Sequence, residues 1–100
     1  MDKIWEGEPM TSKLFLTMCI QAVVDYVNQC LDKTDGVRIT EADVFIVWSC
    51  KTLQNNKALL STTLHDGMYY ELTYNGDKKE LYLDAYKKWE NVCLKVEEHV

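Results

Sequence analysis

Between Thr11 and Asp32, apolar side chains return every three or four positions. Leu16, Ile20, Val23, Val27 and Leu31 form one stripe, and Phe15, Met18, Ala22 and Tyr26 form a neighbouring one. That period predicts an α-helix, with Thr11 or Ser12 as its cap and an end near Leu31 or Asp32. Only Gln21, Asp25, Asn28 and Gln29 interrupt the apolar surface, which is wider than the single stripe a surface helix needs. Such a helix is either deeply buried or shared with another molecule, so the pattern predicts a homodimer through this first helix. Lys33-Thr34-Asp35-Gly36 reads as a stop, with Gly36 suited to the left-handed C-terminal position.

After the turn-like Thr40-Glu41-Ala42-Asp43 the period changes to two. Residues 44–52 are rich in β-branched and aromatic side chains and predict a strand. A loop at 54–57 precedes a second strand at 58–64, and His65-Asp66-Gly67 separates that from a third at 68–74. Asn75-Gly76 is the strongest hairpin signal in the chain, and a fourth strand is expected at about 79–83. A two-residue turn there sets Tyr70 opposite Leu81, and a three-residue loop at Gly67 sets Leu60 opposite Leu72. One sheet face then carries Ile46, Trp48, Cys50, Leu60, Leu64, Met68, Tyr70, Leu72, Leu81 and Leu83. The other carries Phe45, Val47, Ser49, Leu59, Ser61, Thr63, Tyr69, Glu71, Thr73 and Tyr82, a mixture suited to a half-exposed surface. Asp84 can cap a last helix over 85–97 with the stripe Tyr86, Trp89, Cys93 and Val96. The expected fold is α+β: a two-layer sandwich of helix, four-stranded antiparallel meander and helix, with both helices on one sheet face. Residues 1–10 are read as an N-terminal arm and 11–100 as a single domain.

Composition narrows the class. The chain has 100 residues, 47% hydrophobic, with a single proline and four glycines, which excludes a disordered or fibrous chain. No apolar run reaches the roughly 18 residues of a membrane span, and the N-terminus lacks the pattern of a secretion signal. Eleven basic residues against sixteen acidic ones give a net charge of −5, and Arg38 is the only arginine. Direct nucleic-acid binding favours clustered Lys and Arg, so none is expected, whereas a basic protein surface is a suitable partner. The four cysteines show no CxxC; Cys19 and Cys30 lie about 16 Å apart along one helix. Cys50 and Cys93 fall on apolar faces, so reduced, core-packed thiols in a cytoplasmic protein are expected.

Catalytic chemistry finds no foothold. His65 and His99 have no ligand spacing to each other or to a cysteine. His65-Asp66 is explained by turn chemistry, and a Cys50–His65 nucleophile pair conflicts with Cys50 on the core face. Asp66, Glu71, Asp77 and Glu80 do not form a calcium-loop pattern, and the chain carries no GxGxxG, phosphate loop or GxSxG. No enzyme, cofactor or metal site is expected. Binding has more support, because three Trp and six Tyr are many for this length and aromatics anchor protein interfaces. Tyr69 and Tyr82 are expected as cross-strand neighbours on the polar face, beside Phe45 and Glu71, with Trp5 in the arm as a clamp either onto its own body or onto a partner.

The run Val47-Trp48-Ser49-Cys50-Lys51-Thr52-Leu53-Gln54-Asn55-Asn56-Lys57-Ala58 is similar to a family of short proteins from phages and prophages of Gram-positive bacteria. So are Asp66-Gly67-Met68-Tyr69-Tyr70-Glu71, Tyr74-Asn75-Gly76-Asp77 and Asp84-Ala85-Tyr86-Lys87-Lys88-Trp89-Glu90. The resemblance covers roughly the C-terminal two thirds, excludes residues 1–10, and brings no assigned active site. It implies a phage accessory protein of the bacterial host cytoplasm, one that binds and inhibits a host or antiviral-defence protein. A protein that sequesters a small ligand or nucleotide is the alternative, as is a replication or structural accessory subunit of the phage.

Overall fold

The computed structural model describes residues 10–31 and 36–98. Helix α1 (Ser12–Cys30) begins where Thr11 leaves helical geometry and its hydroxyl accepts a hydrogen bond from the Leu14 N–H at 3.1 Å. Phe15, Cys19, Val23 and Val27, four residues apart, form its most buried line, flanked by Met18 and Val24. That line runs between the two expected stripes. Leu16, Ile20, Ala22 and Leu31 are half-buried against the same core, so both stripes are used and Cys19 sits at their centre. Burial pushes the Cys19 thiol up to about 12, which keeps it protonated.

Asn28 interrupts the apolar pattern of α1 for a structural reason. Its Nδ2 donates to the Ile39 carbonyl at 3.0 Å, and its Oδ1 accepts from the Ile39 N–H at 2.9 Å. One side chain thus replaces a backbone partner and clamps the segment before the sheet against the helix. Asn28→Ala is expected to lower stability by about 1–2 kcal/mol in urea denaturation, because both Ile39 groups lose their partner.

A short turn at Glu41–Asp43 then delivers the chain to the sheet, with the Asp43 carboxylate accepting from the Thr40 N–H at 2.8 Å. Strands β1 (Val44–Thr52), β2 (Asn55–Thr62), β3 (Met68–Asn75) and β4 (Glu80–Lys87) form one antiparallel sheet in the order β1-β2-β3-β4. α1 covers one face. Beneath it Val44, Ala58, Leu60, Tyr70 and Leu72 complete the core, with Leu81 and Leu83 packed at its rim. Tyr26 of α1 meets the buried Tyr70 ring edge-on, with centroids 5.9 Å apart.

Three features differ from the expected architecture. The last helix is absent: β4 continues through Lys87, and residues 88–98 have no regular structure and are exposed. In 80–87 the alternation of Leu81, Leu83 and Ala85 with Tyr82, Asp84 and Tyr86 finds a partner strand in β3. The stripe Tyr86, Trp89, Cys93 and Val96 is broken by β4, which takes Tyr86 into the sheet, and the short remainder is marginal as an isolated helix. The chain is therefore α+β with a single helix on the sheet, not a two-helix sandwich.

Hairpin lengths also differ. β1 and β2 join through a two-residue turn at Leu53-Gln54, with Leu53 at φ +55°. Leu60 pairs with Tyr70 rather than Leu72, and Tyr70 with Ala85 rather than Leu81. In the β3–β4 turn the Asn75 side chain accepts from the N–H groups of Asp77 (3.0 Å) and Lys78 (3.2 Å). Asn75 therefore closes a longer loop from its base instead of occupying a two-residue turn. Both register slips are even, so every side chain of β2–β4 keeps its expected face.

The third difference does change faces. Ile46 pairs with Leu60 and Trp48 with Leu59, which leaves Val47 as an extra residue in a β-bulge. Beyond it Trp48 and Cys50 share the face opposite α1, and Ser49 takes the helix side, the reverse of the faces that simple alternation predicts. Cys30, Cys50 and Cys93 are exposed, so only Cys19 is the core thiol that was expected of the group.

Candidate functional site

Among the described residues no element covers the face of the sheet opposite α1, which is built in rows across the four strands. Phe45, Ser61, Tyr69 and Tyr86 form one row. Trp48, Leu59, Glu71 and Asp84 form the next, and Cys50, Lys57, Thr73 and Tyr82 a third. Phe45, Val47, Trp48, Tyr82 and Tyr86 are each between 42% and 52% exposed. Half-exposure matters here, because it leaves part of each side chain open to a partner on a surface the sheet holds in place.

The polar groups are fixed among these rings. Lys57 Nζ lies 3.4 Å from Glu71 Oε1, a cross-strand ion pair in the middle of the face. Asp84 sits opposite Glu71 on β4 and adds a second carboxylate beside the first. The Tyr82 hydroxyl donates to Glu80 Oε2, and that bond raises its pKa, holding it neutral. Ser61 is buried and its hydroxyl donates to the Met68 carbonyl at 2.8 Å, so it ties β2 to β3. An aromatic surface around an acidic pair can hold an apolar contact and accept hydrogen bonds from cationic side chains.

Of the residues singled out from sequence, Phe45, Tyr69, Glu71 and Tyr82 come together on this face. Tyr69 and Tyr82 are not direct neighbours: Tyr69 opposes Tyr86 and Tyr82 opposes Thr73, four residues along β4. Trp5 lies outside the described residues. Sequence reasoning missed Trp48, Asp84 and Tyr86. The bulge at Val47 leaves no mark in the alternation, but the alternation of 80–87 was there to be read.

Asp66 Oδ1 accepts from the Met68 N–H at 3.1 Å, as a turn residue does, and His65 is exposed beside it. Cys50 lies toward the β1–β2 turn, whereas His65 occupies the loop at the other end of β2. A separate open depression, lined by Asp25, Asn28, Gln29 and Arg38, sits at the C-terminal half of α1 and is polar. Among the described residues, no helix is long and apolar enough to cross a membrane.

A profile of a protein family of unknown function, DUF6275, matches residues 16–96. That span takes in most of α1, the whole sheet and nearly all of the segment that follows β4. No curated protein and no solved structure matches the chain.

Proposed function

We propose that this chain, which belongs to DUF6275, acts by non-catalytic protein–protein binding through the uncovered face of its sheet. The observation that carries this reading is the set of half-exposed rings, Phe45, Trp48, Tyr82 and Tyr86, around Tyr69 and the Glu71–Asp84 pair. Aromatic side chains set on a rigid sheet are effective anchors, and the carboxylates select for a partner that brings Lys or Arg. The net charge of −5 adds long-range attraction to the same kind of partner.

The resemblance to phage and prophage proteins supplies the biological setting of the proposal. The protein is a phage accessory factor in the bacterial cytoplasm, and its partner is a host or antiviral-defence protein whose basic surface it blocks. The test is capture by the tagged protein from bacterial lysate, with and without phage infection, followed by mass spectrometry. One stoichiometric host protein with a basic surface is the expected product. Tyr69→Ala with Tyr82→Ala should weaken its capture at least about tenfold while the circular dichroism spectrum is retained. Undiminished capture by the folded double variant would remove this face from the interface. A bound nucleotide with no protein partner would favour sequestration instead, and co-purification with phage proteins alone would favour an accessory subunit.

A further inference from the structure

The last backbone hydrogen bond of β4 runs from the Lys88 N–H to the Gly67 carbonyl at 2.7 Å. Beyond it every residue to 98 is exposed. This segment is not a polar tail. Trp89 is 94% exposed and Leu94 79%, with Val92 and Val96 more than half exposed. Val92, Leu94 and Val96 alternate with Cys93, Lys95 and Glu97, the period of a strand with one apolar side. The family profile extends to residue 96, so the segment is part of the unit the family shares.

The same chain carries a surface that lacks what this segment offers. β1 is an edge of the sheet, nine residues long. Its central run Phe45-Ile46-Val47-Trp48 is apolar, each side chain is more than a third exposed, and Lys51 is its only charged residue. Apart from the bulge and Lys51, the strand itself carries neither proline nor a row of charges, and among the described residues no strand pairs with its outer side. An extended segment of residues 89–98 is about 33 Å long and β1 about 30 Å, so the two match in length.

We propose that residues 88–98 are an exchanged arm that adds as a strand to the β1 edge of a second copy of this chain, the two copies clasping each other reciprocally. The arm leaves from β4, the opposite edge of the sheet, three strand spacings or about 14 Å from its own β1. Reaching that edge within one chain uses up about four residues on the crossing and takes Trp89 out of any pairing. A second copy receives the whole arm, and two-fold symmetry satisfies both edges at once. The arm is close to neutral, with Lys88 and Lys95 against Glu90, Glu97 and Glu98, so nothing repels it from β1. α1 is the weaker contact for a dimer, since Leu16, Ile20, Ala22 and Leu31 already pack on their own core. The β3–β4 part of the aromatic face, with Tyr69, Glu71, Tyr82 and Tyr86, stays open to a different partner.

The experiment is light scattering on the full chain over a dilution series, beside the full-chain variant Val92→Asp/Leu94→Asp/Val96→Asp. The native chain should weigh twice 11.7 kDa and the variant 11.7 kDa with an unchanged circular dichroism spectrum. Amides of β1 should exchange slowly in the native dimer and at least about tenfold faster in the variant, which only loss of the edge pairing explains. A native monomer at the highest concentration overturns the proposal, as does a dimer whose mass and β1 protection survive the three aspartates.

Discussion

Leu60→Ala is expected to lower the unfolding free energy by about 2–5 kcal/mol. Leu60 is completely buried in β2, an inner strand, between Ile46 of β1 and Tyr70 of β3, in the cluster that includes Phe15, Val23 and Leu72. Removing three carbons there leaves a cavity whose walls belong to four different elements, so no single movement can close it. A domain of this size has about 5–15 kcal/mol in all, and the loss is a large share of it. Leu59, the next residue, is half-buried on the other face beside Trp48 and Glu71. Leu59→Ala should therefore cost less than half as much, with the same dependence on urea. Equal costs at the two positions would contradict the face assignment on which both the core and the candidate site rest.

That assignment was largely legible in the sequence, for a specific reason. The start of α1 is marked by a capping threonine and its course by unbroken three-to-four spacing; β1 is marked by the β-branched and aromatic run Val44 to Trp48 after a turn. Exact register was not legible, because it depends on how the loops fold. The Asn75 side chain binds two backbone N–H groups inside the turn, and Leu53 takes a left-handed conformation that its residue type does not announce. Both slips were even, and a pleated strand forgives an even slip. An odd one would have turned the core outward.

The bulge at Val47 is the odd step, and it was invisible. Four consecutive apolar residues, Phe45 to Trp48, fit either face, so no polar residue marks the position where the alternation breaks. Its effect on the candidate site is large, because it moves Trp48 out of the core and beside Leu59, Glu71 and Asp84. Phe45, which precedes the bulge, and Tyr69, Glu71 and Tyr82, which depend only on parity, were placed on the right face. Tyr86 and Asp84 were lost to a different ambiguity. Tyr86, Trp89, Cys93 and Val96 satisfy a helical spacing, while Tyr82, Asp84 and Tyr86 satisfy a strand, and only the free edge of β3 decides between them. The same decision strands Trp89 and Val96 outside the fold, which is why the arm became visible only in the structure.

Gly76→Ala should cost about 3 kcal/mol, the upper part of the range for overpacking, although the residue lies in a hairpin turn where alanine is usually tolerated. Its φ is not the reason, since among the described glycines Gly36 and Gly67 are the ones in left-handed conformations. The reason is a neighbour. The β3–β4 turn packs on the β1–β2 turn, with the Gly76 N–H directed at Asn55 Oδ1 at 3.4 Å, and a Cβ on Gly76 would run into the Gln54 carbonyl oxygen and stand 3.1 Å from the Gln54 Cβ. Backbone cannot step aside as a flexible side chain can, so one of the two hairpins must shift along its whole length. Asp77→Ala, one residue further on and exposed, keeps the same turn and should change stability by less than about 0.5 kcal/mol. Thermal unfolding of the two variants compares contact with turn propensity directly. A Gly76→Ala protein as stable as Asp77→Ala would mean that the two turns do not touch in solution, and that the sheet ends there as two independent hairpins.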